Sequence, residues 1–244
     1  MAKQRLDLVL VQRGLAPTRT AAQAMIMAGE VKSQTTVLAK PGQLVEKDVE
    51  IIITERARYV SRAGEKLASV APKFEINFRD KVVLDVGSST GGFTDYALQN
   101  GAKQVYAVDI GTGQLAYKLR QDSRVIVMEQ TDIRNVKPDQ LSPKPDIVVA
   151  DVSFISLTKI LPHVASLVTS NADIIAMAKP QFEADKPTAD KYRGVIKDES
   201  ARQKILTQFE AAIKPDFIIK HAIDSAVAGA KGNLERFYLL RATH

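Results

Sequence analysis

The spacing of apolar positions predicts a small module of helices and short strands at the start of the chain. Apolar residues recur at three- and four-residue steps over 5–13, and Gly14 follows, which predicts an amphipathic helix that ends there. A second helix is predicted over 18–27, with a threonine at 18 or 20 as its cap. The stretch 31–53 contains short β-like runs around a proline-glycine turn. These patterns together predict a compact α+β module.

From residue 81 onward the pattern changes to short apolar runs separated by amphipathic stretches. The predicted strands are 82–86, 105–108, 125–128, 147–150, 174–178, 217–222 and 237–241. The predicted helices are 92–99, 115–119, 156–168 and 200–213. This alternation predicts an α/β domain with a mostly parallel sheet. Seven strands, two of them neighbours late in the chain, resemble the Rossmann-like sheet of methyltransferases.

A short polar stretch separates the two patterns. Residues 55–60 hold three charges and are predicted to form a linker. The chain has 244 residues, which is room for two unequal domains at about 100–200 residues per domain. We therefore expect a boundary near residue 58, with a first domain at 1–58 and a second at 59–244.

Composition narrows the class of protein. With 45% hydrophobic and 25% charged residues, the chain has the composition of a globular protein. It has no cysteine, which excludes disulfides, thiolate metal sites and a catalytic thiol. Asp7 interrupts the first apolar run before it could serve as a signal-peptide core, and no run supplies the roughly 20 apolar residues of a membrane span. We therefore expect a cytoplasmic protein that does not bind a membrane.

The excess of positive charge suits a polyanionic partner. The net charge is +6, and residues 1–40 contain six cations against two acids. A solvated basic surface would give the same sum, so charge alone does not identify the partner.

The stretch VVLDVGSSTGGFTDYAL places a strand, an acidic residue, a glycine-rich turn and a helix in that order. Gly87, Gly91 and Gly92 allow positive φ and a close approach of the backbone to a ligand, and the helix that follows offers unpaired amides. The run matches neither the dinucleotide fingerprint nor the P-loop. A nucleotide-type ligand is predicted, but the dehydrogenase and NTPase classes lose support.

Two further acids follow later strands of the predicted sheet. Asp109 ends the next strand, where a carboxylate can accept from both ribose hydroxyls of an adenosine cofactor. Asp132 follows the strand after that, where an acid can accept from an adenine amino group. Strand ends of any α/β protein collect solvated acids, which is the alternative for each residue alone. In this order, the loop and both acids favour S-adenosylmethionine.

An acid and a lysine end the fourth and fifth strands. Asp151 and Lys179 should face the same crevice outside the carboxyl ends of the sheet, beside the methyl group of the cofactor. A lysine is ordinarily protonated, so acting as a base, or holding a ribose hydroxyl on its way to an oxyanion, requires that burial and charged neighbours tune its pKa. Asp151 is one such neighbour. Lys66 and Glu235 are two more candidates, although a solvated surface charge is the alternative for both.

At these residues the sequence resembles a known family over nearly its whole length. The stretches that carry the resemblance are RLDLVLVQRGLAPTRTAAQAMIMAGEV, SRAGEKL, LDVGSSTGGFTD, VDIGTGQLAYKLR, ADVSFISL, KPQFE and GNLE. They are similar to the TlyA/hemolysin A family of RNA methyltransferases, in which an S4 RNA-binding domain precedes an FtsJ-like catalytic domain. The resemblance therefore implies a small α+β S4-type domain followed by a Rossmann-like, seven-stranded methyltransferase domain of the α/β class.

The resemblance also implies roles for four residues. The Lys-Asp-Lys-Glu tetrad of the family falls on Lys66, Asp151, Lys179 and Glu235, which would bind and activate a ribose 2′-hydroxyl. Lys179 would be the activating group, and Asp151 and Glu235 would orient it and compensate charge. Lys66 would position the substrate or stabilise developing negative charge. No metal is expected, because the methyl group of S-adenosylmethionine is already activated as a sulfonium.

Cofactor and RNA contacts are implied in the same way. The residues implied to bind S-adenosylmethionine are Asp85, Gly87, Gly91, Gly92, Phe93, Asp109 and Asp132. The candidates for contacts to RNA phosphates are Arg5, Arg19, Lys32 and Lys40. The substrate implied by family precedent is the ribose of cytidine in ribosomal RNA.

Three other functions remain open from the sequence. A membrane-active hemolysin is suggested by a name attached to the family, but the chain shows no signal peptide, membrane span or amphipathic hairpin. A nonenzymatic RNA- or ribosome-binding protein would not need the tetrad. A methyltransferase of proteins or small molecules would not need the S4-like segment.

Overall fold

The structure, a computed structural model, describes residues 3–27, 29–53, 57–227, 229 and 232–243. The chain divides into two compact units, Met1–Ala57 and Arg58–His244, which are described separately. Glu55 and Arg56, the first two of the six residues of the predicted linker, lie outside the described residues.

The first unit contains the predicted helices and short strands. Its elements are β1 (Lys3–Arg5), α1 (Leu6–Gln12), α2 (Arg19–Met27), β2 (Val31–Ser33), β3 (Thr36–Val37), β4 (Leu44–Glu46) and β5 (Ile52–Ile53). The first helix begins at Leu6 and not at Arg5, because Arg5 has extended backbone and pairs with β4. Thr18 caps the second helix by accepting a 3.1 Å hydrogen bond from the amide of Ala21. The two helices and the strands β2 and β4 enclose one apolar core.

The second unit is the predicted α/β domain. Its strands are β6 (Val82–Val86), β7 (Gln104–Val108), β8 (Val125–Met128), β9 (Ile147–Ala150), β10 (Asp173–Ala178), β11 (Phe217–Asp224) and β12 (Arg236–Ala242). Its helices are α3 (Arg62–Val70), α4 (Gly92–Gln99), α5 (Tyr117–Arg120), α6 (Leu161–Leu167), α7 (Pro180–Glu183), α8 (Lys186–Lys191) and α9 (Glu199–Ile213). Short 3₁₀ helices lie at Ile133–Asn135, Pro138–Gln140 and Leu157–Lys159.

One seven-stranded sheet organises this unit. The strand order is β11-β12-β10-β9-β6-β7-β8. Strands β6 to β10 are parallel, whereas β12 runs antiparallel to both β10 and β11. The chain order reverses between β6 and β9, which opens a crevice at the carboxyl ends of the strands. The predicted Rossmann-like sheet is confirmed.

Helices cover both faces of the sheet. Alternate residues of β6 face opposite sides, so Leu84 and Val86 belong to the core shared with α6 and α9, and Val83 belongs to the core shared with α3 and α4. Among the described residues, no helix is both long enough and apolar enough to cross a bilayer.

Two further details of the sequence prediction are wrong. The helix predicted over 156–168 is broken into a 3₁₀ turn at Leu157–Lys159 and α6, because Pro162 has no N–H to continue a helical ladder from the preceding turn. The C-terminal end of the predicted linker is packed: Tyr59 is 3% exposed, its ring lies tilted against that of Tyr96 with 5.6 Å between the centroids, and the amide of Val60 donates to Asp95 at 2.8 Å. The charges around Tyr59 hid this anchor in the sequence pattern.

Candidate active site

The glycine-rich turn brings two loops into contact at the crevice. Gly87 follows β6 with φ +81°, and a Cβ on it would lie 2.7 Å from the carbonyl oxygen of Asp151, which follows β9. Only glycine allows this approach without moving the backbone. The loops after the two central strands therefore share one edge of the site.

The other two glycines of the turn lie against protein. Gly91 has φ +94°, and a Cβ on it would lie 2.3 Å from Cδ1 of Leu119. A Cβ on Gly92 would lie 2.3 Å from Oγ of Ser61 and 2.8 Å from the backbone nitrogen of Gly64. Gly92 thus allows the start of α3 to rest on the start of α4.

Three adjoining cavities line the carboxyl edge of the sheet. The first cavity includes Asp85, Gly87, Ser88, Phe93, Asp151 and Lys179 in its wall. The second cavity includes Lys66, Ser153, Phe154, Lys179, Gln181 and Glu235. The third cavity includes Gly87, Val108, Asp109, Asp132, Ile133 and Asp151. Shared walls make them one continuous groove.

Asp85 is a buried acid with an unused oxygen. Its Oδ2 accepts hydrogen bonds from the amide and the hydroxyl of Thr94, at 2.9 Å and 2.6 Å. Its Oδ1 and the Oγ of Ser88 are both buried and have no hydrogen-bond partner among the described residues. Burial raises the pKa of Asp85 to about 7, against the hydrogen bonds from Thr94 and with some help from the negative charge of Asp151.

This raised pKa should make the stability of the protein depend on pH. The carboxyl group titrates near 4 in an unfolded chain, so the folded protein binds its proton more tightly. The stabilisation from protonated Asp85 is complete below about pH 4, where the unfolded chain is protonated too, and is lost as the pH rises through about 7. Between about pH 5 and pH 8, we expect the free energy of unfolding to fall by about 2 kcal/mol more in the wild type than in Asp85→Asn. Urea denaturation without cofactor measures the difference, and parallel pH profiles would contradict it.

Asp109 organises the loop beside the third cavity. Its two oxygens accept hydrogen bonds from the amides of Ser89 and Gly111, at 2.8 Å and 2.7 Å. The amide side chain of Gln114 accepts from the Ser89 hydroxyl at 3.0 Å and joins the same loops. Each carboxylate oxygen retains a second lone pair for a ligand hydroxyl.

Asp132 also lines the third cavity, but its carboxylate already has partners. It accepts from the backbone amide of Arg134 at 3.0 Å and pairs through both oxygens with the guanidinium of the same residue. This pair lowers the pKa of Asp132, chiefly through the side-chain hydrogen bond from Arg134. The sequence prediction had assigned Asp132 to the ligand without this competitor two residues away.

Two lysine–carboxylate pairs meet at the second cavity. Lys179 Nζ lies 2.5 Å from Asp151 Oδ1 and donates to the hydroxyl of Ser153 at 2.9 Å. Lys66 pairs with Glu235, and both side chains are almost fully buried. The structure thus brings together all four predicted residues, and two cations face two anions in a cluster without net charge.

The sheet explains how residues so far apart in the sequence come together. Asp151 and Lys179 directly follow the neighbouring parallel strands β9 and β10, so both lie at the same edge. Glu235 directly precedes β12, which pairs antiparallel with β10 and therefore begins at that edge. Lys66 comes from helix α3, which packs against α4.

The sequence analysis gave no role to Ser153 or Phe154. Ser153 is the hydroxyl partner of Lys179 and touches all three cavities. Phe154 has φ +66°, is 91% exposed and lies 5.2 Å from the ring of Phe182. Strained, exposed residues of this kind are concentrated at functional sites, but neither the strain nor the exposure of Phe154 can be read from the sequence.

The candidate RNA contacts lie in the first unit. Arg5 and Arg19 both pair with the fully buried Asp7, at 2.8 Å and 3.0 Å. The hydrogen bond from Arg5 is the main reason that the pKa of Asp7 lies well below its usual range. Lys32 lies on β2, the middle strand of a three-stranded sheet, and Lys40 is exposed. The structure therefore joins the two arginines through one acid and places the two lysines elsewhere in the unit.

Comparison with known proteins identifies the family. The model of the FtsJ-like methyltransferase family matches residues 59–242. The chain belongs to the FtsJ-like methyltransferase family. The S4 domain model matches residues 4–51 of the methyltransferase, so the resemblance expected from its sequence is confirmed.

Relatives of the methyltransferase align over most of its length. YqxC of Bacillus subtilis is 46% identical over 238 residues, which are 96% of this chain and 84% of that protein. The 16S/23S rRNA (cytidine-2′-O)-methyltransferase TlyA of Mycobacterium tuberculosis is 37% identical over 98% of this chain and 90% of that protein. A solved structure described as a hemolysin from Streptococcus thermophilus is 40% identical, with a TM-score of 0.74 over 100% of this chain and 90% of that one. The family match favours an enzyme of methyl transfer over a membrane-active hemolysin.

Proposed function

We propose that this methyltransferase transfers a methyl group from S-adenosylmethionine to the ribose 2′-hydroxyl of cytidine in ribosomal RNA. The observation that carries the proposal is the pair of buried lysine–carboxylate contacts, Lys179 with Asp151 and Lys66 with Glu235, beside the glycine-rich turn. Such a neutral cluster can activate a hydroxyl and offset the charge that develops on its oxygen. The name of the Mycobacterium tuberculosis relative supports the same reaction and the same substrate.

The groove fits S-adenosylmethionine. The unused Oδ1 of Asp85 and the unpartnered Oγ of Ser88 suit the ammonium and carboxylate end of the cofactor in the first cavity. Asp109 would accept from the ribose hydroxyls, and the wall formed by Val108 and Ile133 would pack on the adenine. When bound, the cofactor supplies a methyl group activated by its sulfonium.

The glycines and the remaining acid would support this cofactor site. We assign Gly87 and Phe93 to its wall, and Gly91 and Gly92 to the packing that holds the turn in shape. Asp132 would take the adenine amino group through an oxygen it shares with Arg134.

Lys179 would act on the hydroxyl. Nζ can accept the hydroxyl proton only after it has given up the extra proton of its ammonium form, and Asp151 and Ser153 hold Nζ in place for that transfer. Glu235 fixes the ammonium of Lys66, which positions the ribose and stabilises negative charge on its oxygen. Holding the oxygen in line with the methyl group contributes much of the rate.

Asp109→Ala should weaken cofactor binding specifically. Loss of the charged hydrogen bonds to the ribose, worth about 1.5–3 kcal/mol, predicts a rise in the Kd of S-adenosylmethionine of about 10- to 100-fold. Calorimetry or equilibrium dialysis measures the Kd. Asp190→Ala, at an exposed position on α8, is the matched control and should bind normally. An unchanged Kd in Asp109→Ala would remove the assigned contact.

We assign residues 1–58 to RNA binding and 59–244 to catalysis. Arg5 and Arg19 would contact phosphates with the guanidinium edges that Asp7 leaves free, and Lys32 and Lys40 would add weaker contacts. The S4 match supports this assignment. A ribosomal substrate would place the protein in the cytoplasm.

Labelled methyl transfer tests the proposed function. Purified protein is incubated with labelled S-adenosylmethionine and either naked ribosomal RNA or isolated ribosomal subunits, and the modified position is mapped. Label on a cytidine 2′-oxygen supports the proposal. Cofactor binding without transfer to any RNA would favour a nonenzymatic RNA-binding protein, and label on protein would favour the other methyltransferase class.

A further inference from the structure

A buried arginine lies close to the tetrad but belongs to neither lysine–carboxylate pair. Arg202, on the first turn of α9, is 2% exposed. Burial of a guanidinium is costly unless its donors are satisfied in the right directions. The hydrogen-bond partners of this side chain therefore show which part of the fold it fixes.

Arg202 forms a hydrogen bond to the backbone of the residue before Glu235. Its Nε donates to the carbonyl oxygen of Leu234 at 3.0 Å, and Nη1 donates to Glu199 at 3.0 Å. Its Nη2 pairs with Asp224 at the end of β11. These three directions use the planar fork of the guanidinium, which lysine cannot reproduce.

The residue after Glu235 is held by the same network. Asp224 accepts from Nε of Arg236 at 2.7 Å, so one carboxylate links Arg202 to Arg236. The carbonyl oxygen of Glu235 itself accepts from the amide of Ser225 at 2.8 Å. The backbone is thus fixed before, at and after Glu235.

A second contact reinforces this arrangement two residues earlier. Asn233 is 3% exposed, and its amide side chain accepts from the amide of Ile196 at 2.8 Å and donates to the carbonyl of Gly194 at 3.0 Å. The segment before α9 and the first turn of α9 therefore both hold the approach to β12.

We propose that Arg202 is a positioning residue for methyl transfer, which acts by fixing the backbone of Leu234 and thereby the carboxylate of Glu235 against Lys66. The inference rests on the proposed function. A carboxylate that holds an active-site lysine must be fixed to within about 0.5 Å, and a side chain at the entry of a strand is fixed only if its backbone is. Arg202 supplies that constraint although it does not line the second cavity.

Arg202→Lys tests the proposal, because it keeps the charge and removes the fork. The matched control is Arg241→Lys: Arg241 lies at the other end of β12 and pairs with Asp173 at 2.9 Å. The measured quantities are the single-turnover rate of methyl transfer at saturating RNA and cofactor, the Kd of each ligand, and Tm. We expect Arg202→Lys to slow the rate about tenfold with both Kd values nearly unchanged, and Arg241→Lys to leave the rate unchanged.

A double variant separates positioning from general damage. If Arg202 acts through Glu235, Arg202→Lys should cause no further loss in a Glu235→Gln background. The same tenfold loss in that background, or an equal loss in Arg241→Lys, would overturn the proposal. If Arg202→Lys does not fold, Asp224→Asn, which loosens the same fork from a half-exposed position, replaces it in the cycle with the same expected non-additivity.

The activity of the wild type distinguishes a failure of the role of Arg202 from a failure of the proposed function. Wild-type transfer that is lost in Glu235→Gln but undiminished in Arg202→Lys would overturn only the role of Arg202. Failure of the wild type to methylate any RNA would overturn the proposed function, and the positioning role with it.

Discussion

Replacement of Lys179 by alanine is expected to slow methyl transfer to RNA by about 10³-fold, because the variant loses the group that we propose as the acceptor of the hydroxyl proton. Lys179 follows the end of β10 and lines the second cavity, and Asp151 and Ser153 hold its Nζ in place. We expect neither partner to substitute for it, since a serine hydroxyl and a carboxylate are both weaker bases than an amine. The single-turnover rate with labelled cofactor measures the loss.

The binding constants show whether this loss is chemical. S-adenosylmethionine should bind Lys179→Ala with an affinity within about threefold of the wild type, because the first and third cavities keep their other walls. Lys214→Ala, at an exposed position after α9, is the matched control and should react at the wild-type rate. A Lys179→Ala rate close to that of the wild type would remove this lysine from the mechanism.

The largest expected effect on stability comes from Lys66→Met. This change removes the ion-pair partner that the described residues give to Glu235, whose side chain is only 5% exposed. Breaking a buried ion pair in this way should lower the free energy of unfolding by about 3–5 kcal/mol. Urea denaturation measures the loss.

A second substitution tests the cause of that loss. Lys66→Met combined with Glu235→Gln removes both charges and should recover most of the stability, since the penalty comes from the unpaired charge. Arg124→Met breaks the half-exposed pair with Asp122 and should cost less than about 1 kcal/mol. A double variant as unstable as Lys66→Met would mean that lost packing, and not charge, is responsible.

The sheet could be predicted from the sequence because its central strands are buried on both faces. The apolar run 147–150, and the run 82–86 that Asp85 alone interrupts, permit few other structures, and their bounds agree with β9 and β6. The position of Asp151 and Lys179 followed directly, because residues after neighbouring parallel strands must share an edge.

Contacts that depend on side-chain direction could not be predicted. Arg202 is separated from Leu234 by 32 positions, and nothing in the local pattern of α9 marks a guanidinium aimed at that carbonyl. Arg134 is only two positions from Asp132, yet whether it turns toward that acid or toward solvent depends on the 3₁₀ turn between them. Tyr59 was missed because the packing of one ring outweighs the polar residues around it.

Because Gly92 has no side chain, one close backbone contact supports both the first and the second cavity. The start of α3 rests on that residue, and one turn later the same helix carries Lys66 into the second cavity, while the turn that ends at Gly92 forms the wall of the first. A shift of the turn would move the lysine with it. We therefore expect a mutation that displaces this turn to affect both the first and the second cavity.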